Sequence, residues 1–202
     1  MIEDTPPAGT RLLTVGHSNR PLEHFLQLLE RADVEVLADV RTSPHSTVAP
    51  QFGRESLAQA LRQRGINYVF EGRALGGRPK GREYYGKDGR VLYFRMAEAP
   101  WFLAGLNRLR GMAAHRRVAI MCSEEDPASC HRHLLIARVL EASGVSVTHL
   151  RADASLQPYG VMPDVRRRRS EPPTLFSTGE DRGWTSIRSV SPSARPSSSS
   201  AR

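Results

Sequence analysis

Cysteine is scarce in this chain of 202 residues: there are two. Two thiols do not build the disulfide framework of a small secreted domain, so composition points to a reducing, cytoplasmic setting. A Cys122–Cys130 disulfide stays open as a redox state. Aromatic residues are few, at 6%. No apolar run approaches the roughly 20 residues that span a bilayer, and the N-terminus lacks a signal-peptide pattern, so no membrane role is expected. No Walker A sequence occurs and no G-x-G-x-x-G follows a strand, which removes the standard nucleotide-binding turns. No internal repeat is visible.

What the chain has is positive charge, +8 in all. Residues 161–202 hold eight arginines against four acids, which is half of the excess. That half sits where hydropathy patterning stops, after about residue 160. Arg166 to Arg169 is a charge run and Ser191 to Ala201 is mostly Ser, Pro and Ala. Such sequence buries too little apolar area to offset chain entropy, so residues 159–202 are expected to form a disordered tail. Within it, Pro173 to Phe176 is a short apolar island of the kind that docks to partners. Residues 1–10 read as a loose leader. The folded part, residues 11–158, is long enough for one domain with its own core.

Inside that part, apolar runs alternate with helical periodicity. Strands are expected at Arg11 to Val15, Val34 to Ala38, Asn67 to Phe70, Val118 to Met121 and Val145 to Leu150. Helices are expected after Pro21, with Leu22, Phe25, Leu26 and Leu29 on one face, at Glu55 to Arg64 before Gly65, and at about Pro100 to Met112. A further helix is expected to start at Asp126 as N-cap with Pro127 at N1, to place Cys130 in its first turn, and to stop at Gly144. Alternation at this spacing predicts an α/β fold: a single domain with a mainly parallel sheet flanked by helices.

Parallel sheets place their ligands at the carboxyl ends of the strands. Three of those ends carry reactive side chains: His17 and Ser18, Asp39 and Arg41, Cys122 and Glu124. Cys130, His131 and Arg132 follow the last of them closely. Arg41 and Arg132 are candidates to bind a phosphate or carboxylate, with Asp39 positioning one of them or acting as base. Glu124 is a candidate acid or base. Three readings of the cysteines stay open: inert buried side chains, a nucleophilic thiol beside a base, or a metal site made of Cys122, Cys130, His131 and His17. Seven residues separate the cysteines, which is not the tight pair of a structural zinc site, and no metal ligand is assigned from the sequence.

Residues 71–95 form an excursion with six glycines and seven basic residues, interleaved with Tyr84, Tyr85, Tyr93 and Phe94. It suits a lid over a phosphate-bearing ligand, a single-strand binding surface, or a solvated loop.

The residues also match a known pattern. Thr14 to Asn19, Asp39 to Arg41 with Pro44 and Ser46, Pro50 to Phe52, Leu75 to Gly77, Cys122 to Glu124 with Asp126 and Pro127, and Cys130 to Arg132 together resemble the DUF488 family over about residues 11–155. The resemblance implies an α/β fold, no established function, and marked positions at His17, Ser18, Asp39, Arg41, Cys122, Glu124, Cys130, His131 and Arg132. The family often has arginine just after the serine of its proline–serine loop, whereas Thr47 and Val48 follow Ser46 here. An anion held at that place would need another basic group, such as Arg54 or Arg78.

The expectation is therefore an enzyme. His17, Asp39, Cys122, Glu124 and Cys130 would do chemistry, while Ser18, Arg41, Gly76, Gly77, His131 and Arg132 would hold a phosphate-bearing or nucleotide-like substrate. A nucleic-acid module using residues 71–95 and the tail, or a metal-binding protein, are the alternatives. The sequence names no cofactor and no oligomeric state.

Overall fold

The computed structural model describes residues 10–45, 47–161 and 183–190. Its centre is a six-stranded sheet in the order β3-β2-β4-β1-β5-β6. The strands are β1 (Arg11–Gly16), β2 (Val36–Asp39), β3 (Asn67–Phe70), β4 (Val118–Cys122), β5 (Ser146–Leu150) and β6 (Leu156–Pro158). The first five are parallel, and β6 runs antiparallel to β5. This is the mainly parallel sheet expected from the alternation of strands and helices.

β4 is buried at all five positions, because it lies between β1 and β2 with helices over both faces. One face of the sheet is covered by α1 (Leu22–Arg31) and α2 (Arg54–Gln63) through Phe25, Leu26, Leu29, Leu57 and Leu61. The other is covered by α5 (Pro100–Ala113) and the helix after β4, through Phe102, Leu106, Leu109, Leu135, Ile136 and Leu140. α5 starts with Pro100 in its first turn, where the missing N–H costs nothing. α2 stops where Gly65 takes a φ of 71°. Among the described residues no helix is long and apolar enough to cross a membrane.

Three departures matter for the site. The helix expected from Asp126 is split. Asp126 does cap, accepting from the Ala128 N–H at 3.1 Å, but only a 3-10 turn, Pro127–Ser129, follows. Cys130 then lies in extended backbone (φ −111°, ψ 142°), and the chain re-enters a helix through a π-helical turn, Arg132–Ala137, continued by α6 (Arg138–Ala142). Cys130 is therefore not in a first turn. It precedes the second helix, its carbonyl accepting from the His133 and Leu134 N–H groups.

The excursion at 71–95 is ordered. It contains α3 (Gly72–Leu75), a 3-10 turn at Arg82–Tyr84 and a Tyr85–Val91 bridge, and it leads into α4 (Tyr93–Glu98).

Part of the expected tail belongs to the domain. β6 is followed by a 3-10 turn at Tyr159–Val161, and residues 183–190 pack against the excursion. Trp184 is buried there; its indole N–H donates to the Leu134 carbonyl at 2.8 Å and the Arg138 guanidinium covers its ring at 4.4 Å. One aromatic anchor plus main-chain pairing docks these eight residues, and an average over the whole segment does not register either. The leader up to residue 9, Ser46, Arg166 to Arg169, Pro173 to Phe176 and Ser191 to Ala201 lie outside the described residues.

Candidate functional site

The strand register brings the reactive ends level. Gly16 pairs with Cys122, and Asp39 pairs with Met121. Main-chain bonds continue the β1–β4 seam beyond the strands: His17 N–H to the Cys122 carbonyl at 3.0 Å and Ser18 N–H to the Ser123 carbonyl at 2.8 Å. Gly16 permits this, since a Cβ there would stand 1.9 Å from the Glu124 carbonyl oxygen.

Asp39, Arg41 and His17 form one buried network. The Arg41 Nε and Nη2 donate to the two Asp39 oxygens at 2.9 and 2.6 Å, and Nη2 also donates to the Phe52 carbonyl at 2.9 Å. The Tyr68 hydroxyl donates to Asp39 Oδ2 at 2.7 Å. His17 Nδ1 lies 2.6 Å from the Ser18 carbonyl and its Nε2 lies 3.1 Å from Arg41 Nη1. A guanidinium only donates and a carbonyl only accepts, so the neutral tautomer with the proton on Nδ1 satisfies both contacts. Burial, helped by the Arg41 charge and opposed by the Ser18 bond, lowers the His17 pKa to about 4. The ring also stacks on Phe52, with centroids 4.3 Å apart. Burial opposes the Arg41 charge, but the Asp39 hydrogen bond more than compensates and raises its pKa.

The second group is a sulfur cluster. The Cys122 thiol donates to Glu124 Oε2 at 3.0 Å, and Cys130 Sγ lies 3.2 Å from the same oxygen. His131 Nδ1 stands 3.7 Å from one sulfur and 3.8 Å from the other. The opposite ring nitrogen, Nε2, is 3.1 Å from the Leu75 carbonyl, which fixes it as the donor. The Arg132 backbone N–H reaches Cys130 Sγ at 3.5 Å. Burial works against a thiolate at Cys130, but the Cys122 hydrogen bond, Arg132 and His131 outweigh it and lower its pKa. The hydrogen bond to Cys130, then burial, push the Cys122 thiol up. Cys122, Cys130 and His131 offer donor atoms that all lie within 4.8 Å of one another.

Both groups meet at a cavity of about 640 Å³ lined by Arg41, Cys122, Glu124 and His131, with Arg78, His45 and Arg188 among its walls. Arg41, Cys122, Glu124 and His131 thus share one crevice, whereas His17 and Asp39, bonded to Arg41, and Cys130 are not among its lining residues. Of the two basic groups offered in place of the missing loop arginine, Arg78 lines the cavity, whereas the Arg54 guanidinium lies over the Phe70 ring at 4.8 Å. Gly77 lines the cavity as well, and a Cβ on it would stand 2.9 Å from His131 Cγ. Gly76 is enclosed, with the Gly72 carbonyl oxygen 2.4 Å from where a Cβ would be.

Arg132 and Ser18 also lie outside the cavity lining. Arg132 is 1% exposed and turns inward: it donates to the Glu124 and Glu125 carbonyls and, through Nε, to Thr14 Oγ1 at 3.3 Å. It clamps the 123–125 loop from inside and does not line the cavity. Ser18 is exposed and contributes main chain, with a φ of 50°.

Sequence reasoning missed Tyr68 and the Leu75 carbonyl, which carry no local pattern. It also missed Ser186 and Arg188, which arrive from the C-terminal segment. A buried relay went unnoticed too: Thr14 Oγ1 lies 2.7 Å from His149 Nδ1, and His149 Nε2 lies 2.9 Å from His133 Nδ1. His133 directly follows the Cys130 to Arg132 motif, but its partner His149 lies 16 residues further on, so spacing did not pair them.

No curated protein and no solved structure matches this chain. A family model does match, over residues 21–139, which spans β2, the excursion, β4, the sulfur cluster and Arg132. The chain therefore belongs to DUF488, a domain of unknown function.

Proposed function

We propose that this DUF488 protein is an enzyme that takes a phosphate-bearing or nucleotide-like small molecule into the cavity and acts on it with the Cys122, Glu124, Cys130 and His131 cluster. The cavity itself carries the reading. Its volume of about 640 Å³ falls in the range typical of small-molecule sites. Arg41, Arg78 and Arg188 outnumber the one lining carboxylate, Glu124, so its walls favour an anion. Arg78 and Arg188 are exposed and reach a ligand directly. Arg41 is spent largely on Asp39, Phe52 and His17, so it supplies field and shape. Glu124 touches both sulfurs and lines the cavity, the place for a proton acceptor. Both cysteines are free and buried, which supports a reducing, cytoplasmic setting.

The nucleic-acid reading gains nothing from the excursion. Tyr84 packs edge-on against Trp101 at 5.5 Å, Tyr93 is buried, and the Tyr85 hydroxyl donates to the Pro79 carbonyl at 2.8 Å. Rings engaged in this way are not a platform for bases.

The test is calorimetric titration of the full chain with inorganic phosphate and a panel of mononucleotides. Saturable binding is expected, weakened about tenfold or more by Arg78→Ala or Arg188→Ala, as loss of a charge-assisted hydrogen bond implies. Turnover of a ligand found this way is expected to vanish in Cys122→Ser. If no anion binds, or if binding ignores both arginines, the reading is wrong.

A further inference from the structure

Three donor atoms gather at the end of β4, the sulfurs of Cys122 and Cys130 and His131 Nδ1, all within 4.8 Å of one another, and Glu124 Oε2 touches both sulfurs. Three of these groups are acids, and each is an anion once its proton leaves. A carboxylate oxygen 3.0 and 3.2 Å from two sulfurs, beside an imidazole lone pair, is a set that a cation would complete.

The spacing agrees with one kind of ion. Around tetrahedral zinc, with bonds of about 2.3 Å to sulfur and about 2.0 Å to nitrogen, neighbouring sulfur and nitrogen ligands stand about 3.5 Å apart. The observed separations are 3.7 and 3.8 Å. The surroundings agree as well. A ligating histidine usually donates its second N–H to a carbonyl or carboxylate, and His131 Nε2 has the Leu75 carbonyl at 3.1 Å. A backbone N–H directed at a sulfur steadies a thiolate, and Arg132 supplies one to Cys130.

We propose that Cys122, Cys130 and His131 hold a zinc-class divalent ion whose fourth position opens to the cavity beside Glu124. For its use, this inference rests on the enzyme reading; for binding, it stands alone. Two thiol protons are released to solvent as the ion enters, and the two thiolates balance its charge. Three protein ligands with an open position are the arrangement of catalytic rather than structural zinc. Glu124 then faces a metal-bound water and is placed to take its proton. Seven intervening residues between the cysteines suit this well: they carry the chain from the end of β4, through the Asp126-capped turn, back to the same point.

The full chain, reduced and stripped with chelator, is titrated with zinc alone and with cobalt(II) alone. One equivalent is expected to bind, with thiolate-to-cobalt charge-transfer absorption and the visible bands of tetrahedral cobalt. Bound zinc is expected to protect both cysteines, the only two in the chain, from alkylation. Cys122→Ser, Cys130→Ser and His131→Ala are each expected to weaken binding by more than the roughly 10–100-fold that loss of an outer-shell partner costs. Circular dichroism and melting of the serine variants separate lost binding from lost fold. Zinc binding that survives in the Cys122→Ser/Cys130→Ser double variant, or no saturable binding by the folded wild-type chain, overturns the site. Phosphate titration of the zinc-free chain is read separately: anion binding without zinc binding sinks this inference alone, and zinc binding without anion binding sinks only the substrate reading.

Discussion

His17 Nε2 lies 3.1 Å from Arg41 Nη1, and this contact decides what the imidazole is for. Its lone pair is taken by a guanidinium and its proton by the Ser18 carbonyl, so no face of the ring's polar edge is left for proton transfer. His17 thus positions Arg41. We expect His17→Leu to leave one buried Arg41 N–H unsatisfied and to destabilise the protein by about 1–3 kcal/mol. His17→Gln, which restores an acceptor, should recover a good part of that. Urea unfolding of the two variants checks it. Equal losses would mean that the ring matters only for its stacking on Phe52.

Asp39 and Arg41 are both buried, and each holds the other's charge. Removing one partner strands the other. Asp39→Ala is expected to cost about 3–5 kcal/mol, and the double variant Asp39→Leu/Arg41→Met much less than the two single losses added together. A double-mutant cycle by denaturant unfolding measures the coupling. Additive losses would show that the pair contributes nothing as a pair.

His149 makes stability depend on pH. Burial first, then the neighbouring His133, Arg132 and Arg151, lower its pKa to about 3 from 6.5. Between those values the unfolded chain binds a proton that the folded chain refuses. Stability therefore falls as pH drops through 6.5 and goes on falling towards about 3. The urea midpoint should be lower at about pH 5 than at about pH 7.5, and His149→Gln should shrink that difference. Identical midpoints at both pH values would contradict a neutral, buried His149.

Trp184 fastens the C-terminal segment. We expect Trp184→Ala to destabilise the protein by about 3 kcal/mol, as loss of a large buried ring does. Only two tryptophans are present, so Trp184→Phe also assigns the fluorescence. The missing emission should be the blue-shifted, buried component. A chain ending at residue 161 that melts like the full protein would show that the segment is not fastened.

Much of the site was readable because two simple rules act together. Apolar runs identify strands, and parallel strands point their carboxyl ends the same way, so His17, Asp39 and Cys122 had to share an edge. What the rules do not carry is direction. Arg132 and Arg41 look alike in sequence, yet one guanidinium turns inward to loop carbonyls and the other borders the cavity. Nothing local in the string distinguishes them, because the deciding acceptors, the Glu124 and Glu125 carbonyls, exist only once the loop has its shape. Cys130 was placed in a helix because Asp126 and Pro127 are a true start signal. The signal was obeyed for one turn and then overridden, since both sulfurs, the imidazole and Glu124 meet only if the backbone straightens at Cys130. The docking of Trp184 depends on partners such as Leu134 and Arg138 that lie about 50 residues earlier, beyond any window of periodicity.

The wall formed by Ser186 to Val190 has a consequence during synthesis. Ser186, Ile187, Arg188 and Val190 are made after every other residue that lines the cavity, so its full wall exists only once this segment has been synthesised and docked.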